Sequence, residues 1–190
     1  YIFGFHCIGI MLWAFGTDPV WTFGIMYVII IGYYILRFMV QKAVKHAVHS
    51  AIQDEEYVIV APTMRFFYWR VAAASKTHYY VGRAYRRSVN IYDKFEIVPL
   101  PRTPHVHAAM QDKNLQSFVS FSPLYRWEIA ELPSGLTEVR LIDLRYRSNN
   151  RYPFVAVAHV NDNLKVVNSY TGWIFSEDKL QQKLQIGASD

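Results

Sequence analysis

Two apolar segments dominate the N-terminal part of the chain. Residues 21–40 carry no charged side chain before Arg37, and about 20 helical residues are enough to cross the roughly 30 Å hydrocarbon core of a bilayer. Apolar side chains surround the whole helix axis, whereas a buried helix of a soluble protein normally keeps a polar stripe. Residues 2–15 form a second, shorter apolar segment, and glycine, aspartate and proline between the two predict a turn. The sequence therefore predicts a transmembrane helical hairpin over residues 1–40, with a truncated first helix.

The residues that flank this hairpin predict its orientation. Trp13 and Trp21 lie on either side of the turn and are expected at one membrane interface. The turn has no lysine or arginine, whereas Arg37, Lys42 and Lys45 follow at the other end of the second helix. By the positive-inside rule this basic end faces the cytoplasm. We therefore expect a multi-pass membrane protein, with everything after the hairpin in the cytoplasm.

Residues 41–53 change from uniformly apolar to amphipathic. Val40, Val44, Val48 and Ile52 recur every four residues, and the basic side chains lie off this stripe. The pattern predicts a basic juxtamembrane helix. Two placements fit it equally: along the membrane surface beside anionic headgroups, or packed on the soluble domain.

Residues 54–190 have the composition of a soluble domain, with strand-like runs rich in β-branched and aromatic residues. Strands are predicted at 57–60, 67–74, 79–85, 95–98, 125–131, 138–145, 154–160 and 165–170. Two or three helices are predicted as well: a turn at 106–110, a helix capped by Asp112, and a final helix after Ser176. Together these elements indicate one membrane-anchored α+β domain with a mainly antiparallel sheet.

The net charge of +5 is less informative than the position of the positive residues. Between Tyr57 and Tyr92 six positive residues occur without an acidic one, and arginines alternate with aromatics there. This composition suits anionic surfaces. Arg70, Arg83, Arg86 and Arg87 are the candidate anion- or lipid-binding residues. The alternative is structural: in a strand, aromatics can face the core while arginines at alternate positions face water.

Catalytic and metal-binding motifs are missing from the sequence. It has no GxSxG, HExxH, CxxC or glycine-rich phosphate loop, so no catalytic or metal-ligating residue is assigned. His46 and His49, and likewise His105 and His107, are close enough to share a metal. Neither pair has a carboxylate or cysteine at a recognised zinc spacing, so solvated or structural histidines are the better interpretation.

Five short stretches carry a family resemblance: APT at 61–63, WRV at 69–71, DLRYR at 143–147, RYPFVAV at 151–157 and SYTGWIFSE at 169–177. In this order they resemble the C-terminal half of the YdjM/YfhP-like proteins. The resemblance implies an inner-membrane protein, regarded as a metal-dependent hydrolase and as LexA-binding. In that family the presumed metal-binding stretch lies in the N-terminal membrane half, so no cofactor or catalytic residue carries over to this chain.

Two functional hypotheses follow. The first is the distal anchor and cytoplasmic domain of a membrane-bound, metal-dependent hydrolase, whose divalent metal lies upstream and whose isolated distal part is inactive. The second is a non-enzymatic, membrane-tethered module that binds anionic lipid, a protein regulator or nucleic acid. The expected partners are the lipid bilayer and an upstream transmembrane segment, with a protein regulator as a further candidate and nucleic acid the least favoured.

Overall fold

The structure, a computed structural model, describes residues 2–52 and 54–187. The ends of the predicted segments at Tyr1, Gln53 and Asp190 lie outside these ranges. Helix α1 (Ile2–Ala14) and helix α2 (Pro19–Ala51) form a hairpin. Asp18 caps α2, since its carboxylate accepts a hydrogen bond from the backbone N–H of Trp21 at 3.1 Å. The predicted helical hairpin is therefore present.

Helix α2 is continuous through both of its predicted parts. It spans 33 residues without a break, and only 6% of its most apolar window is buried. Val44 and Val48 in its second half are fully buried, and Ile52 just beyond it is 3% exposed. All three pack against the first sheet, which decides between the two placements of the amphipathic stretch. It packs on the soluble part of the chain.

The first sheet is a four-stranded antiparallel meander in the order β1-β2-β3-β4. Its strands are β1 (Glu55–Pro62), β2 (Tyr68–Ser75), β3 (His78–Tyr85) and β4 (Ser88–Glu96). The prediction for β4 was wrong, because only a short strand at 95–98 was expected. Strand β4 lies at the sheet edge and alternates exposed and half-buried positions along its whole length, so its apolar signal is weak.

The second sheet is another antiparallel meander, in the order β5-β6-β7-β8. Its strands and the surrounding helices are α3 (Pro104–Met110), α4 (Lys113–Phe121), β5 (Tyr125–Glu131), β6 (Thr137–Asp143), β7 (Phe154–Val160), β8 (Val166–Trp173) and α5 (Glu177–Gly187). Phe118 of α4 packs on one face of the sheet, and Leu180 of α5 packs on the other. Strand β7 is consequently buried on both faces.

The single sheet expected from the sequence is therefore two sheets, and the proline-rich stretch 99–104 lies between them. Polar and apolar contacts join the sheets. Asp93 of β4 accepts hydrogen bonds from Arg147 and from Tyr152 (2.6 Å). Burial opposes ionisation of Asp93, but these two bonds and the charge of Arg147 outweigh it and lower the pKa of the carboxyl. Leu124 packs against Ala72 on the first sheet.

Candidate functional site

The outer face of the first sheet carries two cross-strand pairs at the beginning of β2, just after the β1–β2 hairpin. Tyr68 lies opposite Tyr85, with ring centroids 4.8 Å apart, and Arg70 lies opposite Arg83. Trp69 points to the other face, where it is 3% exposed and packs with the helix α2 residues. Of Tyr68, Trp69 and Tyr85, only the tryptophan therefore faces the core as the structural alternative expects. Both tyrosines stay on the same face as the arginines.

The Arg70–Arg83 pair places two like charges directly opposite each other. Such cross-strand pairs destabilise a sheet. Both side chains are exposed, and neither forms an ion pair with any residue in the described ranges. Arg65 and Arg83 both lie over the ring of Tyr68, each with its guanidinium carbon 5.6 Å from the ring centroid. An anion bound here would offset the repulsion.

Arg37 brings a fourth positive charge from helix α2. Its guanidinium donates to the backbone carbonyl of Phe66 and, at 3.3 Å, to that of Thr63. It also lies over the Trp69 ring at 4.4 Å. These contacts fix Arg37 against the β1–β2 hairpin, at the point where the apolar part of α2 ends. Helix, hairpin and sheet thus meet at this arginine.

These side chains line a groove of about 740 Å³, which we call the basic groove. Its lining consists of Tyr33, Arg37, Pro62, Thr63, Met64, Arg65, Tyr68, Arg70 and Arg83. Within the part of the chain that the structure describes, the lining includes four guanidinium groups and no carboxylate. Guanidinium groups bind phosphate oxygens through paired N–H donors, and the hydroxyls of Tyr33 and Tyr68 are further donors. The groove is therefore suited to binding a phosphorylated anion.

Two of the four predicted anion-binding arginines, Arg70 and Arg83, line the basic groove. Arg86 lies in the β3–β4 turn with a φ of 54°, over the rings of Phe67 and Tyr85. Arg87 is exposed in the same turn, outside the groove.

Sequence reasoning missed Arg65 and Thr63 as groove residues, although the basic run contained Arg65. It placed Arg37 at the membrane interface without joining it to the sheet. Only the fold brings α2 and the β1–β2 hairpin together.

The predicted membrane-interface residues lie at both ends of the apolar part of α2. Trp13 and Trp21 are 55% and 75% exposed at the turn of the hairpin. Lys42 and Lys45 are exposed beyond Arg37, and the Lys42 ammonium lies 4.7 Å from the Phe38 ring centroid. The structure thus separates an aromatic end from a basic end.

Among the described residues, neither histidine pair belongs to a group of three or more potential metal ligands. His49 hydrogen-bonds to Glu55 across the connection between α2 and β1, and His46 is exposed. His105 and His107 lie on the short helix α3. Within residues 2–52 and 54–187, no three His, Cys, Asp or Glu side chains are grouped so that they could hold a metal. The described residues therefore offer no direct support for metal chemistry.

Comparison with known proteins identifies related sequences. Residues 53–95 match the family described as the YfhP middle domain, and residues 104–184 match the YfhP C-terminal alpha/beta plait domain. The two matches coincide with the two sheets. The chain is also 47% identical over 189 residues to a Bacillus subtilis (strain 168) protein described as uncharacterized protein YfhP. That alignment covers 99% of this chain and 58% of the relative. No solved structure matches the chain. The two domain matches, in this order, and the identity to the Bacillus protein show that the chain belongs to a YfhP-like family.

Proposed function

We propose that this part of the protein is a membrane-anchored binding module that holds anionic lipid headgroups in the basic groove. The observation that carries the proposal is the convergence of four guanidinium groups, without a carboxylate in the described lining, at the end of an apolar helix. Such a site loses electrostatic repulsion when an anion binds. A membrane supplies anionic groups at high local density next to the helix end.

The exposed apolar side chains of α2 support the membrane part of the proposal. Residues 19–36 extend over about 27 Å of helix, close to the thickness of a hydrocarbon core. Ile25, Val28 and Ile31 are each more than half exposed. Burial in lipid removes this apolar surface from water. The length and composition of α2 allow it to cross a membrane, and insertion would remove its exposed apolar surface from water.

The proposed orientation places the turn of the hairpin outside the cytoplasm and both sheets inside it, in a multi-pass protein. The support is the charge difference between the turn and the Arg37 end of α2. A reporter enzyme fused after Asp190 is expected to be active only in the cytoplasm. Activity of that fusion on the outer side of the membrane would refute the orientation.

Removal of three positive charges near the groove should weaken headgroup contact. We expect hydrogen exchange at the backbone amides of residues 63–67 and 86–87 to be slower in nanodiscs containing phosphatidylglycerol than in neutral phosphatidylcholine nanodiscs. In the variant with Arg65, Arg70 and Arg83 replaced by serine this difference should fall at least about threefold, because each charge near an anionic surface contributes about 1 kcal/mol.

The matched control replaces Arg102, Lys165 and Lys179 by serine. These three exposed residues carry the same total charge and lie outside the groove. The control should keep the difference between the two kinds of nanodisc. Equal exchange of the unsubstituted chain in both lipids would refute the proposed function.

For the whole protein, a metal-dependent hydrolase remains our second proposal. The chain spans 58% of the length of its Bacillus relative, so a catalytic centre could lie in the remaining part. In this proposal the two sheets place or regulate that centre, and this part alone is inactive. Stoichiometric zinc or manganese in the purified full-length protein would support it. Absence of bound metal together with inactivity on phosphoester and ester substrates would refute it.

A further inference from the structure

A second cavity adjoins the basic groove. It has a volume of about 610 Å³ and shares Tyr33, Arg37 and Pro62 with the groove. Its other walls are mainly apolar and aromatic, and they include Phe3 from α1, Phe38 from α2 and Trp69 from β2. Phe3 and Phe38 are 83% and 56% exposed. The two cavities together form a continuous amphipathic site, with a cationic half and an apolar half that lies beside helices α1 and α2.

Trp69 forms part of the wall of the second cavity. The residue is 3% exposed, so its ring is held in place by the packing around it. The guanidinium of Arg37 lies over the ring, 4.4 Å from its centroid. The tryptophan therefore helps to hold Arg37 where the two cavities join.

We propose that the joined cavities bind one molecule of a glycerophospholipid with a terminal phosphomonoester, the phosphatidic acid class. The phosphate lies among Arg65, Arg70 and Arg83, and an acyl chain runs past Trp69 and Phe38 toward the bilayer. This inference rests on the proposed headgroup binding and adds to it a defined stoichiometry and a lipid class.

The choice of a phosphomonoester follows from charge and donor count. A phosphomonoester has three terminal oxygens. Like the phosphate of a phosphorylated side chain, it has a charge of about −1.5 to −2 near neutral pH. A phosphodiester headgroup has two free oxygens and a single charge. Arg37 already donates to two backbone carbonyls, whereas Arg65, Arg70 and Arg83 donate no side-chain hydrogen bond within the described ranges. Each of these three guanidinium groups can therefore donate to one terminal oxygen of a phosphomonoester.

The test is native mass spectrometry of the full chain in detergent, titrated with phosphatidic acid, phosphatidylglycerol and phosphatidylcholine that have identical acyl chains. We expect a single phosphatidic acid to bind about tenfold more tightly than phosphatidylglycerol, because its phosphate offers a third terminal oxygen and a larger negative charge to the guanidinium groups. The amount of bound phosphatidylcholine should not exceed that of nonspecifically bound detergent. Inorganic phosphate in tenfold excess should displace less than half of the bound lipid, since it lacks the apolar part.

Arg70→Gln and Arg83→Gln should each lower the affinity for phosphatidic acid about tenfold. Arg87→Gln is the matched control: it removes the same charge beside the same sheet but outside the groove, and should change the affinity less than about twofold.

Each result has a distinct meaning. Equal affinity for phosphatidic acid and phosphatidylglycerol, both above phosphatidylcholine, would overturn this inference and leave the proposed function intact. Equal affinity for all three lipids would overturn both. Displacement by equimolar inorganic phosphate would overturn the lipid assignment, because the apolar cavity would then contribute nothing. An Arg87→Gln effect as large as that of Arg83→Gln would overturn the groove as the site.

Discussion

Replacing Val48 with aspartate is expected to destroy the folded state of the first sheet. Val48 is fully buried and packs against the face of the sheet that contains Val71 and Ala84. An aspartate there is a buried charge without a partner, and its cost, together with the lost packing, is about 4 kcal/mol or more. That is a large fraction of the total stability of a domain.

The measurement is limited proteolysis and thermal unfolding of the full chain in detergent. Val48→Asp should expose residues 54–96 to cleavage under conditions in which the unsubstituted chain is resistant. His46→Asp introduces the same side chain on the exposed face of α2 and should cost less than about 0.5 kcal/mol. Similar protease resistance of Val48→Asp and the unsubstituted chain would show that α2 does not hold the sheet.

Replacing Glu138 with alanine is expected to cost about 3–5 kcal/mol, because it leaves buried polar partners without their carboxylate. Glu138 is 7% exposed on β6, and His159 on β7 lies 2.9 Å from its Oε2. Arg140 contacts Glu138 at 2.9 Å and Glu177 of α5 at 2.8 Å. The carboxylate thus links two strands to the first turn of the last helix. Glu131→Ala, at an exposed position of β5, is the control and should change stability by less than about 0.5 kcal/mol.

The pH dependence follows from the same carboxylate. Burial alone would raise the pKa of Glu138, but the hydrogen bond from His159 and the charge of Arg140 outweigh burial and lower it. A lowered folded-state pKa gives stability that is fully present above the ordinary value of 4.5 and is lost as the pH falls through the folded value. Denaturation curves from pH 7 to pH 3 should therefore converge for the unsubstituted chain and Glu138→Ala. A constant difference across this range would contradict the assigned role of the carboxylate.

The sequence predicted elements whose signals are local. Asp112 caps α4 as expected, since its carboxylate accepts from the backbone N–H of Asn114 at 2.8 Å. The predicted strands at 154–160 and 165–170 are present as β7 and β8, joined at Asn161, whose side chain accepts from the backbone N–H of Lys165. Capping and turn chemistry involve neighbours in the chain, so composition and spacing are sufficient to find them.

The division into two sheets depended on contacts between distant residues. Asp93 and Tyr152 are 59 positions apart, and no pattern in the sequence connects them. The stretch 99–104 contained a usable signal, because its prolines interrupt regular pairing. Arg70 and Arg83 could be selected as candidates from composition alone. Their position directly opposite each other on β2 and β3 could not be predicted, because it depends on the strand register.

The unbroken helix α2 has a mechanical consequence. No flexible linker separates its apolar half from the half on which the first sheet is packed. The 15 residues from Arg37 to Ala51 form a lever of about 22 Å. In a bilayer whose thickness changes, a helix adjusts its tilt. A change of about 10° would move the far end of this lever by about 4 Å, by the same helix geometry. In the proposed membrane-anchored state, the first sheet would therefore change its position whenever the thickness of the bilayer changes the tilt of α2.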